Sequence, residues 1–265
     1  MLKVLVNGAD GRMGRTVVKA VYDDADLQFV GGVSITNIGE DAGELAGVGK
    51  LGLPIKGDLG SAIDELKPDV VVDFTAPRAI FGNAKTVIEH NANMVVGTTG
   101  LTPDQRAELG AMADEHKTCL FIAPNFSIGA VLMMRVSEII APYMPDAEII
   151  ELHHNNKLDA PSGTAIMTAN KMAAARAAAH ALAEPDKTHE SLDGARGAKV
   201  DDIPIHSVRL PGYVAHQQVL FGGYGELLTI RHDSLDRKSF MPGVILAVKK
   251  VGSHPGLTVG LENFL

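Results

Sequence analysis

Apolar and polar positions divide the chain into two styles of folding. Up to about residue 126, short runs rich in Val and Ile recur at 3–7 (KVLVN), 28–34 (QFVGGVS), 69–74 (DVVVDF), 93–97 (NMVVG) and 118–123 (TCLFIA). Continuous apolar runs of this length predict strands covered on both faces, as in a parallel sheet. Between them the spacing predicts helices over 11–22, 60–66, 79–90 and 103–116. Thr102 before Pro103 gives the last of these an N-cap and a proline in the first turn, where the missing N–H is harmless. Strand and helix in alternation predict an α/β domain, Rossmann-like and doubly wound around a parallel sheet.

The pattern changes after residue 126. A helix over 128–141 leads to a strand over 147–154 and a long Ala-rich helix from 163 to about 182. The polar stretch 184–202 reads as a loop. Three strand candidates then follow one another, at 203–210, 214–221 and 226–231. Strands in succession predict a mixed or antiparallel sheet, hence a second domain of α+β type. A helix over 239–251 and the tail GLTVGLENFL close the chain, and no internal repeat is found.

Composition fits two folded domains. The chain has 265 residues, of which 46% are hydrophobic and 21% charged, enough apolar material for two cores. A net charge of −8 with no basic stripe argues against a nucleic-acid partner. The opening MLKVLVNG is too soon interrupted for a signal peptide, and no apolar run approaches the ~20 residues that span a bilayer. The single cysteine, Cys119, has no partner for an intramolecular disulfide and sits in an apolar run as a small hydrophobe. A cytoplasmic location is the expectation.

The first strand runs directly into Asn7-Gly8-Ala9-Asp10-Gly11-Arg12-Met13-Gly14, a G-x-x-G-x-x-G loop that opens a helix. Gly8 permits a tight exit, Gly11 lets a pyrophosphate approach the backbone, and Gly14 lets the helix pack on the sheet. The helix start offers free N–H groups to phosphate. At that place in a βαβ chain the loop predicts dinucleotide binding. An acid at the end of the second strand would select NAD, and a base would accept the 2′-phosphate of NADP. Here the strand ends Val33-Ser34-Ile35-Thr36-Asn37, with neither. Ser34 and Thr36 donate hydrogen bonds, and Arg12 or Arg15 can meet a phosphate. Use of both NADH and NADPH is therefore expected. Gly97, Thr98 and Thr99 lie at another strand end, where Thr98 or Thr99 can bond a ribose or carboxamide, and Asn125 at a third can orient the nicotinamide amide.

The densest chemical signal is Glu151-Leu152-His153-His154-Asn155-Asn156-Lys157-Leu158-Asp159-Ala160-Pro161-Ser162-Gly163-Thr164. Histidine can give up a proton near neutral pH, so His153 is a candidate general acid. Lys157 supplies fixed positive charge. Ser162 is an N-cap candidate, and the N–H groups of Gly163 and Thr164 make an anion site suited to a carboxylate. A zinc site is set aside, because adjacent histidines on a strand point to opposite faces and no cysteine or third ligand accompanies them.

These segments, with DFTAP, VVGTTG, APNFSIG, DAGELAG and IHSVRLPG, resemble the dihydrodipicolinate reductase family of the diaminopimelate–lysine pathway over essentially the whole chain. The pattern HHxxKxDAPSGTA is very specific to it. The resemblance implies NAD(P)H-dependent reduction of 4-hydroxy-tetrahydrodipicolinate to tetrahydrodipicolinate. It implies that His153 is the proton donor and that Lys157 holds or polarises the substrate. His154, Gly163 and Thr164 would contact the dicarboxylate. Gly8, Ala9, Asp10, Gly11, Arg12 and Met13 would contact the nucleotide, as would Gly97 to Thr99 and Ala123, Pro124, Asn125 and Phe126. It further implies a homotetramer, a nucleotide domain over 1–126 rejoined by 235–265, and a substrate-binding and tetramerisation domain over 127–234. The chain departs from the family at the acid-free end of the second strand, and at Asn156, where some members carry another His. Two other readings are a homoserine dehydrogenase type of enzyme and a non-catalytic NAD(P)H sensor, which would leave His153 without a task.

Overall fold

A computed structural model describes all 265 residues, and the chain divides into two compact units, Met1–Phe126 with Phe240–Leu265, and Ser127–Ser239. The first unit is built on a sheet of six parallel strands in the order β11-β5-β4-β3-β1-β2. These strands are β1 (Leu2–Asn7), β2 (Leu27–Val33), β3 (Val70–Asp73), β4 (Asn93–Val96), β5 (Cys119–Ile122) and β11 (Gly256–Val259). Every residue of β3 and β5 is buried, as expected of strands covered on both faces.

Period-two alternation sends side chains from each strand to two cores. On one face, Leu5, Val71, Met94, Val96 and Leu120 meet α3 (Leu59–Leu66), α4 (Ile80–Glu89) and α5 (Pro103–His116). Ile80 and Ile88 of α4 are at most 1% exposed, a burial that stabilises by roughly 1.5–3 kcal/mol each. On the other face lie α1 (Arg12–Asp23), with Val17, Val18 and Val21 fully buried, and α8 (Met241–Lys250), which packs on α1. Thr102 caps α5 as read, and Gln105 completes a reciprocal capping box.

The second unit carries a five-stranded mixed sheet in the order β10-β9-β6-β8-β7. Its strands are β6 (Asp146–His153), β7 (Ala198–Val200), β8 (Ile203–Arg209), β9 (Ala215–Gly223) and β10 (Glu226–Ser234). Only β6 and β8 run parallel; the other pairs are antiparallel. Helices α6 (Ile128–Ile140) and α7 (Gly163–Ala178) cover one face, with Ile149, Ile203, Ile205, Val219 and Phe221 buried against Met133, Ala165, Ala169 and Met172.

Four local expectations need correction. The polar stretch 184–202 contains the short strand β7, whose first two residues are exposed and whose apolar signal is correspondingly weak. The tail is not a mere closing segment, since Gly256–Val259 adds β11 beside β5 in parallel register. Helix α7 stops at Ala178 instead of running to 182, because His180 takes a left-handed conformation with φ of 54°. A short helix, α2 (Ala42–Ala46), lies in the connection after β2, nucleated by the Asp41 carboxylate, which accepts from Gly43 N and Glu44 N.

Candidate active site

Two strand-to-helix junctions carry the residues singled out by the sequence, one in each unit. In the first unit, β1 ends at Asn7 and the chain turns through Gly8 with φ of 79°. A Cβ at Gly8 would come within 2.6 Å of the Phe74 carbonyl oxygen, and one at Gly14 within 1.9 Å of the Gly8 carbonyl oxygen. Both positions therefore require glycine, and the loop lies flat against the sheet. No side chain caps the start of α1, so its first-turn N–H groups are available to a phosphate. A backbone cradle closed to any Cβ, ahead of an uncapped helix of 12 residues, fits a dinucleotide pyrophosphate.

The neighbouring strand ends are tied together by Asp73, which is fully buried. It accepts from Asn7 Nδ2 at 2.8 Å, Asn83 Nδ2 at 2.9 Å, Thr75 Oγ1 at 2.8 Å, Thr75 N at 3.1 Å and Thr98 Oγ1 at 2.7 Å. The hydroxyl of Thr98 also accepts from Thr75 N at 2.8 Å. Of the two threonines able to bond a ribose or carboxamide, Thr98 has its hydroxyl engaged in this buried network, and Thr99 beside it is exposed. Gly97 faces the ring of Phe74. Ala123 and Phe126 are buried, and the Phe126 ring packs on Phe74 and Phe121, so this turn presents backbone along with exposed Pro124 and half-buried Asn125. Arg12 is exposed and Met13 half-buried at the start of α1.

The end of β2 holds a surprise. Ser34 is buried, while Thr36 and Asn37 are exposed. The sequence places no acid there, yet the Asp10 carboxylate reaches across from the glycine loop and accepts from Thr36 Oγ1 and from Asn37 Nδ2. Burial works against its ionisation, but hydrogen bonds from Ser34, Thr36 and Asn37 prevail and hold its pKa below the ordinary value.

In the second unit, β6 ends at His153 and α7 begins at Gly163. Residues 149, 151 and 153 of β6 share a face, the one covered by helices. Glu151 on that face has no solvent exposure. Its carboxylate accepts from His153 Nδ1 at 2.6 Å, from Arg209 Nη2 and Nη1 at 2.7 and 2.8 Å, and from Ser162 N at 3.1 Å. Burial opposes its ionisation, but the bonds from His153, Arg209 and Ser207 bring its pKa down to about 2. Arg209 also donates to the Asp159 carbonyl at 2.8 Å, which pins the loop between strand and helix. Ser162 caps α7 by accepting from Ala165 N at 3.2 Å, leaving the earlier N–H groups of Gly163 and Thr164 outside the cap. Gly163 is exposed and Thr164 half-buried.

Lys157 lies in the same loop, its ammonium paired with Asp159 at 2.7 and 2.9 Å, and His154 is exposed just past the strand. The structure therefore gathers His153, Gly163 and Thr164 around one junction with Lys157 and His154 on its loop. Sequence reading gave no role to Glu151 or Arg209. The first was legible in principle, since a residue two positions before His153 on a strand shares its face. The second was not, because Arg209 lies 58 residues from Glu151 and meets it only through the parallel register His153↔Arg209.

The chain is similar to known proteins along almost its whole length. Residues 2–126 match the family described as dihydrodipicolinate reductase, N-terminus, and residues 129–265 match dihydrodipicolinate reductase, C-terminus. The 4-hydroxy-tetrahydrodipicolinate reductase of Listeria monocytogenes is 49% identical over 264 residues, with 100% of both chains covered. That of Desulfitobacterium hafniense is 47% identical over 265 residues, covering 100% of this chain and 98% of the relative. Among solved structures, a dipicolinate-bound dihydrodipicolinate reductase from a Paenisporosarcina species superposes with a TM-score of 0.88 at 43% identity, with 100% of both chains covered. An amine dehydrogenase from Mycobacterium smegmatis, with a TM-score of 0.66 and 15% identity over 97% of this chain and 94% of that one, shares the fold alone.

Proposed function

Because the chain belongs to the dihydrodipicolinate reductase family, matched over both of its parts, we propose that it reduces 4-hydroxy-tetrahydrodipicolinate to tetrahydrodipicolinate with NADH or NADPH. The observation that carries this reading is His153, held by a buried carboxylate beside the start of α7, a helix end whose positive dipole suits a carboxylate. The named relative with dipicolinate bound is a dicarboxylate complex, and a dicarboxylate is the ligand this junction is built for.

Each residue's task follows from its chemistry. Ionised Glu151 accepts a hydrogen bond from His153 Nδ1–H, which leaves Nε2 facing the substrate, so that the doubly protonated ring gives its Nε2 proton and is left as the neutral Nδ1–H imidazole. Arg209, bidentate on Glu151, keeps that carboxylate ionised and in place. Glu151 and Arg209 are therefore positioning residues, and His153 is the general acid. The N–H groups of Gly163 and Thr164 hold one substrate carboxylate, and Lys157 and His154 serve the other. Lys157 exchanges Asp159 for substrate, which keeps its charge compensated in both states.

In the first unit, Gly8, Ala9, Asp10, Gly11, Arg12 and Met13 hold the pyrophosphate and adenosine ribose. Ser34, Gly97, the Thr98 backbone, Thr99, Ala123, Pro124, Asn125 and Phe126 complete the nucleotide site. The bound nicotinamide supplies the hydride. The second unit's sheet is assigned to substrate binding and to assembly of a homotetramer, a reading supported by exposed Tyr224 and Leu227 on the β9–β10 hairpin and checked by light scattering. No helix of the structure is long and apolar enough to cross a membrane.

The test is steady-state oxidation of NADH and NADPH with freshly generated 4-hydroxy-tetrahydrodipicolinate. Oxidation that depends on that substrate is expected. Binding of either cofactor without turnover would replace the reductase by a sensor.

A further inference from the structure

Doubly wound domains of this type select their cofactor by an acid on the second strand, which accepts from the ribose hydroxyls and repels a 2′-phosphate. In this chain β2 runs out at Val33 into Ser34, and its end carries no acid of its own. The parallel register Asn7↔Val33 sets the glycine loop beside that end, and Gly8 N and Ala9 N both donate to the Val33 carbonyl, at 2.8 and 3.1 Å. From that anchored loop Asp10 turns its carboxylate onto residues 26 and 27 positions later. There Oδ2 accepts from Thr36 Oγ1 and from Asn37 Nδ2, the latter at 2.9 Å.

The surroundings fix this carboxylate as a negative charge. Ser34 Oγ accepts from Thr36 N at 3.3 Å, so Thr36 is held from both sides. The nearby bases are otherwise engaged or free in solvent. Arg15 Nε donates to the Asp10 backbone carbonyl at 2.8 Å, Lys56 pairs with Glu65 at 2.8 Å, and Arg12 is exposed. None of these bases pairs with the Asp10 carboxylate. The bonds from Thr36 and Asn37 both fall on Oδ2, which leaves the carboxylate with further acceptor capacity, so hydroxyl donors can still bind to it.

We propose that Asp10 sets the cofactor selectivity of this chain, its carboxylate standing in for the missing strand-two acid by accepting from the adenosine ribose and opposing the 2′-phosphate of NADPH. The inference rests on the dinucleotide reading of the glycine loop but not on the identity of the substrate. Both cofactors remain usable, because the exposed Arg12 can meet a phosphate, and Asp10 weights the choice towards NADH. A carboxylate that merely staples residues 34–37 to the loop would leave the choice untouched.

Equilibrium binding of NADH and of NADPH, read by nucleotide fluorescence without substrate, decides between these. Asp10→Asn keeps the size and an acceptor oxygen but removes the charge. Its ratio of NADPH Kd to NADH Kd should fall about tenfold relative to wild type, the scale of one partly screened charge pair. Asp10→Ser, shorter and equally neutral, should move the ratio in the same direction, which guards against a folding defect peculiar to one variant. A ratio within about twofold of wild type in both variants, with both cofactors still bound, would overturn the proposal and leave Asp10 a loop staple. Failure of wild type to bind either nucleotide would overturn the dinucleotide reading beneath it.

Discussion

The glycine loop after β1 and the HHNNK junction after β6 solve the same problem in opposite ways. Both take a chain from the end of a strand into the start of a helix, and both offer helix N–H groups to an anion. The first is made of backbone. Its helix is uncapped, and its shape is enforced by positions that exclude any Cβ. The second is made of side chains. Its helix is capped by Ser162, and beneath the cap a buried Glu151 joins His153 and Arg209. A backbone cradle suits a long ligand whose chemistry lies elsewhere. A charged network suits a small ligand that must receive a proton at one atom.

The contrast implies that the side-chain junction fails harder when cut. Glu151→Gln removes half of a buried ion pair and leaves Arg209 uncompensated, a loss on the order of 3–5 kcal/mol in unfolding free energy, measured by denaturant titration. The same variant should flatten the acid limb of stability. The folded pKa of Glu151 is depressed, to about 2, so its contribution is present above the ordinary carboxylate range and fades as pH falls towards that value. If stability and acid sensitivity match wild type, the buried pair is not what holds this junction.

Lys157→Ala comes next. It should raise KM and lower kcat together, by roughly 1.5–3 kcal/mol in kcat/KM for one charge-assisted contact, with folding little changed because its partner Asp159 is exposed. Unchanged kinetics would remove Lys157 from the site. For the backbone junction, Gly14→Ala forces a methyl into the Gly8 carbonyl and should cost roughly 1–3 kcal/mol of stability, with weaker binding of either nucleotide. Tight nucleotide binding by that variant would show that the loop is softer than its packing implies. Smallest is Ser162→Ala, which removes the α7 cap and should cost about 1 kcal/mol. A null result in thermal unfolding would mean that Glu151 alone fixes the helix start.

The two junctions also differ in how far the sequence discloses them. The glycine spacing is local, so the loop and its helix are readable from consecutive residues. The Val-rich strands were placed to within a residue or so at each end for the same reason. What escaped depends on contacts between distant segments. Arg209 meets Glu151 through strand pairing, β11 exists because β5 offers it a parallel edge, and Asp10 reaches an end of β2 that looks acid-free in sequence. The bond from the Thr98 hydroxyl to Asp73, a buried hub, is likewise a contact that no periodicity reveals. Candidate residues were legible where chemistry is spelled out in one stretch, as in HHNNKLDAPSGT, and not where it is assembled from two.

The central claim is that His153, held at Nδ1 by Glu151, gives the proton that completes reduction. The direct measurement is kcat and KM of His153→Ala beside wild type with 4-hydroxy-tetrahydrodipicolinate, across neutral pH. A fall in kcat of ~10²–10⁴-fold with KM changed only a few fold is expected of a lost general acid. Retention of wild-type kcat would contradict the account and send the search for the proton donor elsewhere.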